Sequence, residues 1–309
     1  MADKILITPR SLTKEPHPDL DRLRAAGYSL VFCSAGQQPS EDELLALLPG
    51  CVGYLAGVEP VTACVLEAAS GLRIISRNGT GVDNIDLEAA GRLGIHIARA
   101  EAANARGVAE LAIGLLLALA RSIPFSDRAL KAGGWQRRKG MELLGKTLGV
   151  VGCGRIGRQV AEMALGLGLD VLAYDVVPQR SFRPSERFRF AALEELLTQS
   201  HAITLHCPAI GGGRPVVDGP ALAKMRKGVL LVNTARADLI DSTALAAALA
   251  SGQVAGAAID VYDQEPPRDN PLVAHDRVIA TPHIGGFTDE SVDRAVEAAV
   301  TNLLAYLRT

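Results

Sequence analysis

The sequence predicts an α/β protein of two domains, each a doubly wound parallel sheet. Three observations carry that reading. Short apolar strands alternate with helical segments over most of the chain, the pattern of successive βαβ units. The chain has 309 residues, more than the roughly 250–300 at which single hydrophobic cores stop growing. One strand, Thr147–Val151, runs into Gly152-Cys153-Gly154-Arg155-Ile156-Gly157, a glycine-punctuated turn that opens a helix.

Composition narrows the class. Hydrophobic residues at 48% and charged residues at 21% suit a soluble globular protein, and aromatics at 4% leave cores that must be aliphatic and alanine-rich. A net charge of −2 gives no broad basic field, which argues against nucleic acid as a partner. Cys33, Cys51, Cys64, Cys153 and Cys207 are odd in number and form no C-x-x-C pair. Buried thiols in a reducing compartment are therefore expected, rather than a disulfide framework or a metal site. No signal-peptide pattern opens the chain. Its most apolar run, 108–120, contains Glu110 and is too short to span a bilayer. The expectation is a cytoplasmic protein with no membrane partner.

Taken in order, residues 4–8 form the first strand, and Leu20, Leu23 and Ala26 mark a helix that stops at Gly27. Strands follow at 29–32 and 53–55 with a helix over 41–48 between them. A helix over 61–69 precedes a strand at 73–76, and this first unit ends near Ala98. Directly after that strand comes Arg77-Asn78-Gly79-Thr80-Gly81-Val82-Asp83. The glycines around Thr80 expose backbone N–H groups, so the loop is either an anion-binding nest for a carboxylate or a polar βα connection. A long helix over 104–121 carries the chain into the second unit. Residues 122–146 read as loop-rich, with the sole Trp135 and the run Arg137-Arg138-Lys139, which is either a solvated face or an anion contact. Strands are expected at 147–151, 170–174, 188–190, 202–205, 229–232, 256–261 and 277–280, with helices between them. A last helix over 290–307 folds back on the first unit.

The turn after Val151 has a mechanism attached to it. Gly152 makes the tight turn, Gly154 lets the backbone approach a pyrophosphate, and Gly157 lets helix and strand pack closely. The helix N-terminus offers unpaired N–H groups and positive dipole to the phosphates. Asp175 ends the next strand, near the offset expected of the acid that bonds the ribose hydroxyls; its charge favours NAD by repelling a 2′-phosphate.

Three further strands run out into polar residues. Arg236 follows the strand at 229–232, Glu265 follows 256–261 and His283 follows 277–280. In an open parallel sheet these positions line the crevice where ligands bind, on the same edge as the Gly152 turn. Each alone is an ordinary surface or loop residue; together, beside a dinucleotide, they suit hydride transfer at an alcohol next to a carboxylate. Arg236 would hold the carboxylate, His283 would take and return the hydroxyl proton, and Glu265 would fix the imidazole tautomer and raise its pKa. His206 lines the cofactor groove without doing chemistry.

These motifs, in this order and over essentially the whole length, resemble the D-isomer-specific 2-hydroxyacid dehydrogenase family, most closely its D-3-phosphoglycerate dehydrogenase-like branch. They comprise residues 77–86, the helix entry at 104–110, Gly145-Lys146-Thr147 with the Gly152 turn, Asn233-Thr234-Ala235-Arg236, residues 260–266 and Thr281-Pro282-His283. The resemblance implies a Rossmann NAD-binding domain at 101–286, inserted into a flavodoxin-like substrate-binding domain formed by 1–100 and 287–309. It implies Arg236, Glu265 and His283 as the catalytic set. It implies cofactor contacts from Thr80, Gly152, Gly154, Arg155, Ile156, Gly157, Asp175, Cys207, Pro208, Thr234, Ala235, Asp260, Gly285 and Gly286. Asn78 and Gly79 would meet the substrate carboxylate together with Arg236. The implied substrate is a small 2-hydroxy or 2-keto acid, 3-phosphoglycerate among the candidates. The implied assembly is a homodimer or homotetramer, with the helix over 108–120 as the seam.

Three positions depart from the family pattern. Ala237 stands where glycine commonly follows the arginine, and Cys153 replaces an aliphatic residue. The loop Gly57-Val58-Glu59-Pro60 lacks the arginine that many phosphoglycerate dehydrogenases use for the substrate phosphate, a lack for which Arg77 or the Arg137–Lys139 cluster would have to compensate. The alternative on the same scaffold is a non-catalytic NAD-responsive interaction protein similar to transcriptional corepressors. NAD binding without turnover of any keto acid, together with capture of a partner, would distinguish it.

Overall fold

The computed structural model describes residues 2–208 and 214–308. Met1 and Thr309, the ends of the predicted substrate-binding domain, and 209–213 of the predicted nucleotide domain lie outside the described residues. The chain divides into two compact units, Met1–Asn104 with Thr288–Thr309, and Ala105–Phe287.

The first stretch runs β1 (Lys4–Ile7), α1 (Arg10–Lys14), α2 (Leu20–Ala25), β2 (Ser29–Phe32), α3 (Glu41–Leu47), β3 (Cys51–Ala56), α4 (Ala63–Ala68), β4 (Ile74–Arg77), α5 (Leu87–Arg92) and β5 (His96–Arg99). The second unit opens with α6 (Ala105–Ala120), α7 (Ile123–Lys131), β6 (Thr147–Val151), α8 (Arg155–Gly166), β7 (Asp170–Tyr174) and β8 (Phe188–Phe190). It continues with α9 (Leu193–Gln199), β9 (Ala202–Leu205), α10 (Gly219–Lys224), β10 (Val229–Asn233), α11 (Ser242–Ser251), β11 (Val254–Ile259) and β12 (Val278–Ala280). The closing helix α12 (Asp289–Leu307) belongs to the first unit.

In the first unit the strands are parallel in the order β2-β1-β3-β4-β5, the flavodoxin-type arrangement. Helices α3, α4 and α5 begin at Ser40, Thr62 and Asp86, whose side chains accept from backbone N–H groups of their first turns. They cover one face, where Leu44, Leu66 and Ala89 meet Tyr54 and Ile75. On the other face α12 does fold back: Val296, Val300, Leu303 and Leu307 are buried with Ile5, Leu55 and Ile74.

In the second unit the parallel order is β12-β11-β10-β9-β6-β7-β8, a Rossmann sheet extended by one strand. Its inner strand β10 is buried at every residue because helices cover both faces, which is why Val229 to Val232 form an unbroken apolar run instead of an alternating one. Helices α6 and α8 bring Ala112, Leu116, Val160 and Ala164 onto Val150, Val232 and Ala258. The opposite face carries Leu196, Leu222, Leu245 and Leu249 on Val151, Leu231 and Ile259.

The structure corrects four expectations. Residues 122–146 are not all loop, since α7 lies within them. None of its residues is buried, so its apolar period has no core in this unit to face, and Ile123 and Leu130 are 54% and 60% exposed. The first sheet has a fifth strand, β5, which the sequence pattern hides because it is an edge strand with exposed ends. Strand β11 starts at Val254, two residues before the expected 256, and Asp260 and Val261 leave the ladder. Cys64 is exposed and Cys207 is half-buried, whereas Cys33, Cys51 and Cys153 are buried as expected. Among the described residues, no single helix is long and apolar enough to cross a membrane.

Candidate active site

The exits of β11 and β12 bring an acid and an imidazole into contact. His283 Nδ1 lies 2.9 and 2.8 Å from the two carboxylate oxygens of Glu265. An ionised carboxylate only accepts, so Nδ1 carries the proton of this bond and Nε2 is the nitrogen left for proton exchange. The hydrogen bond to Glu265 holds the imidazole above its ordinary value, against burial, which pulls it down. Burial pushes the Glu265 carboxyl up, but the bond and charge of His283 outweigh it, and the net shift is downward. The side chains of His283 and Glu265 are 50% and 39% exposed, so a ligand can reach them.

His283 has φ +52°, a left-handed conformation that costs a non-glycine residue on the order of 1–3 kcal/mol and persists only where neighbours enforce it. The enforcing group is Asp260, 1% exposed. Its carboxylate accepts from Thr281 Oγ1 at 2.6 Å, Ile284 N at 2.9 Å and Gly285 N at 2.8 Å, bonds that bracket the histidine on both sides. Tyr262 joins the two halves of the pair. Its N–H donates to Glu265 at 3.2 Å and its phenol to the Thr281 carbonyl at 2.9 Å. This is the physical reason β11 ends at Ile259: the next residues turn to support the neighbouring exit.

Arg236 follows β10, where Asn233 shapes its loop by donating to the Arg236 carbonyl at 2.7 Å and accepting from Ala235 N at 3.1 Å. The guanidinium donates to the Ala235 carbonyl at 2.7 Å. Its charge acts on both Glu265 and His283, which puts it in their electrostatic neighbourhood. Ala237 opens a short 3-10 turn and is not one of the residues with positive φ, so the departure from glycine is accommodated without strain.

The three glycines of the Gly152 turn differ in what demands them. Gly152 has φ +89°, and a Cβ there would stand 2.5 Å from the Cys207 nitrogen. A Cβ on Gly157 would overlap the Gly152 carbonyl oxygen, so α8 and β6 pack in direct backbone contact. Gly154, the N-cap of α8, has φ −75°, and a Cβ there would meet nothing within 4 Å. The protein's own packing does not require that glycine; a phosphate lying against the helix N-terminus would. Asp175 supports the turn, accepting from Cys153 N at 2.8 Å and Val177 N at 2.9 Å. Thr234 Oγ1 is buried with no hydrogen-bond partner, a polar atom suited to a ligand. These features fit a dinucleotide.

Arg155 and Ile156 open α8, Cys207 and Pro208 follow β9, and Gly285 and Gly286 follow His283. His206 Nε2 pairs with Thr204 Oγ1 at 2.9 Å, and burial pushes its imidazole down to about 3. It therefore stays neutral and is no acid–base candidate. In the first unit Asn78 follows β4, its N–H bonded to the Ala56 carbonyl at 2.8 Å, and Gly79 has φ +150°. Thr80 Oγ1 donates to the Ala100 carbonyl at 3.3 Å. Arg138 lays its guanidinium 3.3 Å over the Phe125 ring, and Arg137–Lys139 are exposed, which favours the solvated face. Sequence reasoning missed the supporting roles of Asn233, Thr281 and Tyr262. The available signal was their position, each at or beside a strand exit that bears a candidate residue.

A family model described as D-isomer specific 2-hydroxyacid dehydrogenase, NAD binding domain, matches residues 113–285. The chain is 42% identical over 264 residues to the D-3-phosphoglycerate dehydrogenase of Homo sapiens, covering 84% of this chain and 50% of that protein. It thus spans about half the length of that relative. Over 260 residues it is 42% identical to the hydroxypyruvate reductase of Thermotoga maritima, covering 82% and 84% of the two chains. Among solved structures, the TT0316 protein of Thermus thermophilus is similar with a TM-score of 0.89 at 36% identity, covering 99% and 97%. The D-lactate dehydrogenase of Aquifex aeolicus, complexed with NAD and lactic acid, is similar with a TM-score of 0.84 at 28% identity, covering 98% and 95%.

Proposed function

The chain belongs to the D-isomer specific 2-hydroxyacid dehydrogenase family, and from that premise we propose that it transfers a hydride between a nicotinamide and C2 of a D-2-hydroxy acid or the matching 2-keto acid. The observation that carries this reading is the Glu265–His283 pair, held in a strained loop at the ligand-binding edge of a dinucleotide-type sheet. NAD, the cofactor of the matched domain, supplies the hydride acceptor or donor when bound.

The chain's own residues do the rest. In oxidation Nε2 of His283 takes the hydroxyl proton as the C2 hydride departs; in reduction it returns that proton to the carbonyl oxygen. Glu265 keeps the proton on Nδ1, so the tautomer is correct before reaction, and it stabilises the imidazolium afterwards. Arg236 holds the substrate carboxylate and stabilises charge on the reacting oxygen, and Asn78 and Gly79 offer further donors to that carboxylate. The Gly152 turn, Arg155 and Ile156 carry the diphosphate; Asp175 takes the ribose hydroxyls. Thr80, Cys207, Pro208, Thr234, Ala235, Gly285 and Gly286 complete the cofactor contacts, and Asp260 fixes the loop through which the last two act. Two copies pair through the outer stripe of α6, where Glu110, Gly114 and Leu117 are exposed; sedimentation measures that association.

The test is oxidation of NADH by purified protein with a panel of 2-keto acids, hydroxypyruvate and 3-phosphohydroxypyruvate among them. Turnover that disappears in Arg236→Ala and His283→Asn supports the reading. A protein that binds NADH and turns over no keto acid refutes it.

A further inference from the structure

Proton exchange at Nε2 of His283 requires Nδ1 to stay on Glu265, yet both side chains lie on loops beyond strand ends and are 50% and 39% exposed. Tyr262 is a buried residue that reaches both loops. Its ring, 9% exposed, belongs to the cluster that also holds Ile259, Leu272 and Val278, so the core of the second unit fixes where the phenol stands.

The two donors of Tyr262 act on different partners. Its N–H donates to Glu265 Oε1, the oxygen that also lies 2.9 Å from His283 Nδ1. Its phenol donates at 2.9 Å to the Thr281 carbonyl, which accepts the backbone N–H of His283 at 3.0 Å as well. The phenol and the histidine backbone thus share one acceptor, in the turn that holds His283 at φ +52°. The Ile259 carbonyl, at 3.3 Å, is the more distant acceptor for the single phenol proton. Asp260 bonds the hydroxyl of the same Thr281, but as an acceptor it cannot bond the carboxylate of Glu265. Burial, with the charges of Asp260 and Glu265, pushes the Tyr262 phenol up to about 12, so it stays a donor throughout the neutral range.

Resting on the oxidoreductase reading, we propose that Tyr262 is a positioning residue for the proton transfer: its phenol pins the turn that presents the imidazole, its backbone pins the carboxylate, and the pair is kept in register through turnover. It acts through Glu265 and His283 and not on the substrate. The phenol is separable from the packing. Tyr262→Phe keeps the ring and the backbone N–H and leaves no carbonyl bare, because Thr281 retains the His283 N–H and Ile259 retains the Thr281 N–H at 3.0 Å. The variant should therefore fold. With the turn released, the Glu265 bond that leads in raising the His283 pKa weakens. Burial and the Arg236 charge, which pull that pKa down, then count for more, while the Asp260 charge still supports it.

The deciding measurement is an NMR titration of the His283 ring in the full chain, its resonance identified by its loss in His283→Asn. Tyr262→Phe should lower the His283 pKa by about half a pH unit, a fraction of the roughly 1–3 that an opposite charge in contact supplies. With NADH and hydroxypyruvate the variant's kcat should fall by about tenfold while KM stays near its value, because a loosened proton donor weakens the chemical step and not substrate binding. In a Glu265→Gln background the same substitution should cost less than about twofold in kcat, since the pair it serves is already broken. A folded Tyr262→Phe with an unmoved His283 titration overturns the proposal, and so does an equal loss of kcat in the two backgrounds. Turnover of no keto acid by the unaltered protein overturns the oxidoreductase reading, and the His283 titration still decides whether Tyr262 holds the pair.

Discussion

Two glutamates of this chain precede a proline just past the carboxyl end of a parallel strand, and they have opposite surroundings. Glu59 follows β3, is sealed at 1% exposure, and is bonded by a hydroxyl, a phenol and a backbone N–H. Glu265 follows β11, is 39% exposed, and pairs with an imidazole that has a second nitrogen to offer. The Glu-Pro pattern says little about role. What separates them is whether the partner can exchange a proton with something outside the protein: the donors on Glu59 complete a structural cluster, whereas His283 links Glu265 to a ligand.

The largest effect that tests this contrast is on rate. His283→Asn should lower kcat/KM with a 2-keto acid by about 10²–10⁴, the range of general acid–base help, with the fold intact by circular dichroism. A loss below tenfold would remove His283 from the chemistry and put the two glutamates on the same footing.

Next comes stability. Glu59→Ala leaves three buried donors without their acceptor and should cost about 1–3 kcal/mol in urea unfolding. Glu265→Ala, at an exposed pair, should cost less than about 1 kcal/mol. Equal costs would erase the distinction between a structural and a functional carboxylate.

A third expectation concerns the pH profile. The bond to Glu265 is the leading cause that raises the His283 pKa, so Glu265→Gln should lower it. Oxidation needs neutral His283 and rises with pH through that pKa; reduction needs the imidazolium and falls. Both limbs should therefore move to lower pH in the variant, and limbs that stay in place would show another group titrating.

The smallest effect is the pH dependence of stability from the pair itself. His283 is shifted up from 6.5 and Glu265 down from 4.5. The stabilisation is full between those reference values, is lost as pH rises through the raised histidine pKa, and is lost as pH falls through the lowered glutamate pKa. At this exposure it amounts to less than about 1 kcal/mol. Thermal melts across that range should show a shallow maximum that His283→Asn flattens; an unchanged maximum in the variant would assign it to other groups.

Much of the fold was legible because burial on both faces writes itself as composition. Strands β6, β7 and β9 lie at the expected residues, since an unbroken apolar run between turn residues has few alternatives in a parallel sheet, and β8, an edge strand with exposed Arg189 between two phenylalanines, lies at its expected residues through that alternation. Elements lacking a buried face were not legible in that way: α7 packs no residue into a core, and β5 lies at a sheet edge with polar ends. Within the site, Glu265 and His283 were recognisable as strand-exit residues, and the structure brings them into contact. Tyr262 and Asn233 were not, because their work lies in hydrogen bonds to other exits and to their own loop, which no spacing rule encodes.

Local pattern alone determined the parallel α/β class, the glycine turn and the residue types available for proton transfer, because period, turn chemistry and strand ends are properties of neighbours in sequence. Only the tertiary structure decided that Glu59 is closed off while Glu265 is paired for exchange, that Asp260 holds His283 in a left-handed conformation, and that Gly154 faces open space. Each of those depends on segments tens of residues apart meeting at a strand end, and burial and hydrogen-bond partnership exist only once they meet.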